Sequence, residues 1–151
     1  MSDKIVKMLA TWFYVGDIPG APGTAASAVA VMMAVICAPN LFLYVLIAII
    51  VIALGFKVSG RTEEILGRKD PGCIVIDEVA GIMVAFFLLP ITWPVLITAF
   101  FLFRAFDMFK IYPVNKFEQI EGGAGVMMDD LIAGLYTNIV MQLAVRWAGI
   151  L

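Results

Sequence analysis

Five carboxylates stand where the surrounding sequence makes them expensive to keep. Asp77 and Glu78 follow Ile74-Val75-Ile76 and precede Val79-Ala80-Gly81-Ile82-Met83, so both fall at the entrance of an apolar helix. An ionised carboxylate buried there costs free energy unless a cation or a hydrogen-bond network compensates. Asp107 lies in Phe103-Arg104-Ala105-Phe106-Asp107-Met108-Phe109-Lys110, where helical spacing stacks Arg104, Asp107 and Lys110 on one face at i, i+3 and i+6. Asp129 and Asp130 follow Gly122-Gly123-Ala124-Gly125-Val126-Met127-Met128 and open the last apolar run. Each group has an ordinary explanation: a capped pair, an internal salt bridge, acids favoured by a helix dipole. Jointly these explanations lose force, because three apolar segments bring acids to one level. The combined reading is a site of oxygen ligands for a hard metal, most simply Mg²⁺, flanked by cations able to hold phosphate.

Two glycine-bearing segments complete the pattern. Pro22-Gly23-Thr24 precedes the first long apolar run, where Thr24 can cap a helix whose exposed backbone N–H groups face an anion. In Gly122-Gly123-Ala124-Gly125, Gly123 can let the backbone approach a phosphate. With Arg104 and Lys110, Thr24 and Gly123 are the candidate phosphate-binding residues. Histidine is absent, which removes imidazole bases and His-ligated zinc together. Neither Cys37 nor Cys73 has an arginine six residues later, as a cysteine-dependent phosphatase loop requires, and both read as packing residues.

The elements that position these groups are apolar throughout. Of 151 residues, 63% are apolar and 15% charged, against about 45–50% and about 25% in soluble domains, so a membrane is the expected solvent. The net charge of −2 provides no field to collect a nucleic acid. Five apolar helices are expected from the runs 24–38, 41–56, 72–89, 95–103 and 131–145, broken at Pro39-Asn40 and between Pro90 and Pro94. A short interfacial helix is expected at 8–15. The N-terminal apolar patch lacks a small-residue cleavage site and does not read as a signal peptide. The fold class is thus all-α, a polytopic membrane bundle forming one domain over 1–151, with some helices short or re-entrant. The connections at 57–72 and 104–130, with the N-terminus, hold nine of the ten basic residues, which the positive-inside rule makes cytoplasmic; only Arg146 falls outside.

Four blocks of the chain resemble the phosphatidylglycerophosphatase A family. They are Pro22-Gly23-Thr24 with Ser27, then Ile76-Asp77-Glu78-Val79-Ala80-Gly81, then Phe103 through Lys110 with Pro113, and Gly122 through Asp130 with Ala133-Gly134. The resemblance implies a magnesium-dependent lipid phosphatase of the bacterial inner membrane, active at the cytoplasmic face on phosphatidylglycerophosphate to give phosphatidylglycerol. On that reading Asp77, Glu78, Asp107, Asp129 and Asp130 share metal binding and catalysis, while Arg104 and Lys110 clamp phosphate oxygens. A phosphatidyltransferase would need its own widely spaced aspartate pattern, which is missing. A small cation transporter would favour acids near midspan rather than at one face.

Overall fold

The computed structural model describes residues 1–109 and 122–147. Among the described residues there are helices and no strands: α1 Asp3–Ala10, α2 Pro22–Cys37, α3 Leu41–Leu66, α4 Ile76–Ala85, α5 Trp93–Phe109 and α6 Gly123–Arg146. The all-α expectation holds, but the boundaries change how the acids are presented.

The second run does not stop at residue 56. Asn40 caps α3, its Oδ1 accepting from Leu43 N–H at 3.0 Å, and with no proline behind it the helix continues for 26 residues to Gly67, whose left-handed φ of 61° ends it. At 1.5 Å per residue α3 is about 39 Å long. It is the one helix among the described residues long and apolar enough to cross a bilayer, and only 22% of its most apolar stretch is buried. A soluble core helix of that composition would be mostly covered. α2 is a shorter apolar helix.

The third run makes ten residues of helix, about 15 Å, rather than a span over 72–89. Beyond Ala85 the chain turns through Leu88, which has a φ of 57°. The carbonyls freed there are met from elsewhere: Asn138 donates to Ala85 O at 3.0 Å and to Phe87 O at 2.7 Å, Gln142 to Phe87 O at 3.1 Å, and Arg146 to Leu88 O at 3.2 Å. Tyr44 Oη donates to Met83 O at 2.7 Å. Arg146, the one cation that the charge map leaves at the far end, therefore serves a backbone carbonyl.

α5 extends past 103 to Phe109, and α6 starts at Gly123 rather than 131. The glycines at 122–125 are consequently the first turn of α6, and Asp129 and Asp130 are its seventh and eighth residues, not its entrance. The helix-dipole explanation of that pair lapses, because the dipole acts within the first turn.

The N-terminal helix lies at 3–10 instead of 8–15. Trp12, Phe13 and Tyr14 all have positive φ (46°, 56° and 70°), and Gly16 then packs so closely against the backbone of Cys73 that a Cβ has no room. That approach turns the chain out of the helix early. Val75 N–H donates to Ala10 O at 2.9 Å, so the N-terminal arm holds the segment that leads into α4.

Candidate active site

α4 and α6 run in the same direction and cross at two glycines. A Cβ on Gly134 would overlap Gly81 O, and one on Gly81 would lie 2.7 Å from Asp130 O. Asp77 and Asp130 each lie four residues, about one helical turn, before a crossing glycine, which brings them to the same end of the pair. Gly55 and Gly60 of α3 do the same for α6, receiving Met127 and Gly123.

The result is a buried cluster: Asp77, Glu78 and Asp130 each direct one carboxylate oxygen into a group whose members lie within 4.8 Å of one another. Asp77 is 8% and Asp130 4% exposed. Arg104, from α5, lies 2.6 Å from Asp107 Oδ2 and 3.9 Å from Glu78 Oε1, and all three side chains are less than one-fifth exposed. The i, i+3 pairing expected of Arg104 and Asp107 is therefore present. Asp70, Asp77, Glu78, Asp107, Asp129 and Asp130 line one cavity of about 180 Å³.

Four of these acids, Asp77, Glu78, Asp107 and Asp130, share this cavity with one guanidinium beside it, that of Arg104, which reaches Glu78 and Asp107. With all four ionised the group carries −3, and like charges at such separations in a water-poor site repel strongly. Glu78 Oε2 is buried without a hydrogen-bond partner, which leaves a carboxylate oxygen of the cluster unsatisfied. An all-oxygen donor set with excess negative charge and an orphaned oxygen fits a hard divalent cation.

The remaining sequence candidates are distributed differently. Thr24 is not the cap of α2: Pro22, with its preset φ and no N–H to satisfy, takes the first helical position, Ala21 the cap, and Thr24 is exposed in the first turn. Its neighbour Gly23 is the residue in contact, since a Cβ there would overlap Glu78 Oε1 and lie 3.4 Å from Arg104 Nη1. Gly123 is buried, and its close approach is to Phe56 O and Gly60 of α3, 2.7 Å from where its Cβ would be. Lys110 lies outside the described residues. Asp70, read from sequence as solvated surface, is exposed but borders the cavity, and its φ of 44°, with the Pro71-Gly72 that follows it, marks a turn there.

An all-α chain with an apolar exterior and a buried carboxylate and guanidinium site at one end fits the class of helical phosphatases that work beside lipid. The chain belongs to the phosphatidylglycerophosphatase A family, whose model matches residues 8–145. It is 33% identical over 146 residues to a phosphatidylglycerophosphatase A of Haemophilus influenzae, covering 94% of this chain and 90% of the relative. It is 33% identical over 131 residues to a phosphatidylglycerophosphatase A of Escherichia coli, covering 85% and 76%. A Bacteroides thetaiotaomicron protein provisionally named as a phosphatidylinositol-3-phosphatase is 35% identical over 150 residues, covering 93% and 92%. No solved structure gives a significant match.

Proposed function

We propose that the protein hydrolyses the terminal phosphomonoester of phosphatidylglycerophosphate in a Mg²⁺-dependent reaction, releasing phosphatidylglycerol and phosphate. The observation that carries this reading is the convergence of three carboxylate oxygens within 4.8 Å beside an arginine in a chain of this family. Asp77, Glu78 and Asp130 would hold the magnesium, with Glu78 Oε2 as the oxygen most in need of it. When bound, the ion would supply Lewis-acid polarisation of the phosphoryl group and charge for the departing glycerol oxygen.

The chain's own groups do the rest. Arg104, anchored by Asp107, faces the non-bridging oxygens, and phosphoryl transfer depends mainly on such positioning and charge stabilisation. The start of α2 at Gly23 contributes backbone N–H groups and the positive end of a helix dipole to the same anion. We assign to Asp129 the proton of the attacking water, because it lines the cavity without belonging to the three-oxygen cluster. Water oxygen bonds to phosphorus as its proton passes to Asp129, the bond to the glycerol oxygen breaks, and that oxygen takes up a proton from solvent, to which Asp129 later releases its own. Lys110 is a second phosphate clamp in this reading. The bundle is one multi-pass domain in the bacterial inner membrane, with this site at the cytoplasmic face, where the basic residues gather.

The relative from Bacteroides thetaiotaomicron raises a second substrate with the same chemistry, a phosphomonoester on an inositol headgroup. Phosphate release from phosphatidylglycerophosphate and from phosphatidylinositol 3-phosphate, measured on detergent-purified protein with Mg²⁺ or with chelator, separates the two. Turnover of the first substrate only, lost in chelator and lost in folded Asp77→Asn and Asp130→Asn proteins, is expected. Full turnover in both variants would sink the acidic-site mechanism.

A further inference from the structure

A cavity several times larger than the one at the acids lies elsewhere among the described residues. An apolar cavity of about 770 Å³ lies between α2 and α5 at the far end of the molecule, and a second of about 300 Å³, sharing Val31, Trp93 and Leu96 with it, continues toward the acid end. Together they make one groove with Ala28, Val31 and Val35 on the α2 wall and Trp93, Ile97 and Phe100 on the α5 wall.

The groove leads to the site. Ala28, Val31 and Val35 follow three- and four-residue spacing, which continues one turn earlier to Thr24; Trp93, Ile97 and Phe100 follow the same spacing, which continues one turn later to Arg104. The two stripes meet at the polar end, where Arg104 Nη1 lies 3.4 Å from the position of a Gly23 Cβ. From Arg104 to Trp93 is eleven residues of helix, about 16 Å. A hydrocarbon chain fixed at the interface of a bilayer with a core of about 30 Å reaches the midplane in about 15 Å. Length, apolar lining and the Arg104 guanidinium at the mouth match one class of occupant.

We propose that the α2–α5 groove is an acyl-chain subsite, holding one fatty chain of a phosphomonoester lipid while its phosphate sits against Arg104 and the start of α2. The proposal rests on the phosphatase reading and adds where the lipid lies. It makes the groove a determinant of affinity for long-chain substrate, separate from the acids that perform the chemistry.

Two measurements test it. In Trp12→Phe/Trp147→Phe protein, Trp93 is the sole tryptophan. In phosphatidylcholine nanodiscs with chelator present, phosphatidic acid brominated on its acyl chains is expected to quench Trp93 more than brominated phosphatidylcholine at equal mole fraction. Equal quenching, which marks bulk lipid, or quenching by neither, which marks a groove closed by protein, overturns the subsite. In turnover, Ala28→Trp and Ile97→Trp each narrow the groove. Displacing about two methylenes of chain is expected to raise KM for long-chain phosphatidylglycerophosphate about tenfold with kcat unchanged. The dihexanoyl form should keep its kcat/KM, and Ile49→Trp, on the outward face of α3, should change neither. Equal losses on both substrates, or no loss in either folded variant, overturn it. Should wild-type protein not cleave phosphatidylglycerophosphate at all, the activity reading fails while the quenching still decides the groove.

Discussion

Gly23→Ala gives a sharp test of how the site is held together, because it adds one methyl group on α2 whose severe overlap is with Glu78. The new Cβ would overlap Glu78 Oε1, lie 3.1 Å from Glu78 Cδ and 3.4 Å from Arg104 Nη1. The obstacle is the end of a flexible side chain, so Glu78 has to withdraw, by about 1 Å. A misplacement of about 1 Å can cost about a hundredfold in rate. The stability change is small by comparison: overpacking costs about 1–3 kcal/mol, while alanine in place of glycine inside a helix returns about 0.5–1 kcal/mol. The expected outcome is a kcat for phosphate release down about a hundredfold, with thermal unfolding in detergent shifted by only a few degrees. Gly134→Ala is the contrast, since its Cβ would overlap Gly81 O, a backbone atom that cannot swing away. That variant should fail to accumulate as folded protein. Wild-type kcat in Gly23→Ala would refute the claim that Glu78 must occupy this position against α2, and with it the three-oxygen cluster as the working geometry.

Removing the guanidinium leaves Glu78 and Asp107 facing each other without their cation, so Arg104→Met should destabilise the protein by about 3–5 kcal/mol as read by thermal unfolding without divalent ions; Arg104→Lys should recover stability better than turnover, because a lysine cannot span two acceptors with one rigid fork. In chelator, Asp130→Asn should melt above wild type, since it removes one like charge from a buried crowd, but it should lose the upward shift in melting temperature that Mg²⁺ gives the parent. At the opposite end, Asn138→Ala leaves Ala85 O without its donor while Phe87 O keeps Gln142, and should cost about 1–3 kcal/mol, with kcat unchanged in the protein that remains folded.

The acidic end of the molecule was legible because its residues are chemically out of place. Asp77, Glu78 and Asp107 are conspicuous in an apolar sequence whatever the fold, and Arg104 with Asp107 needs only one turn of helix to pair. Helix ends were less legible. The runs were delimited by apolar residues, but α3 continues through Lys57, Arg61 and Glu64 because no breaker precedes Gly67. α4 stops at Ala85 although the sequence stays apolar to Leu89. A helix can stop there because Asn138, Gln142 and Arg146 satisfy its open carbonyls, and nothing local to α4 announces partners more than fifty residues away.

Composition and spacing by themselves determined that the chain is helical, that its exterior suits lipid, and that acids stand inside apolar segments, since those follow from side-chain chemistry and the period of a helix. Tertiary structure alone decided which acids meet. Asp77 and Asp130 are 53 residues apart in sequence and converge because Gly81 and Gly134 let two backbones touch one turn away. Gly23 and Gly123 look in sequence like turn or phosphate-loop glycines. Their use as places where another segment's atoms come too close for a Cβ depends on contacts that exist only after the helices have packed.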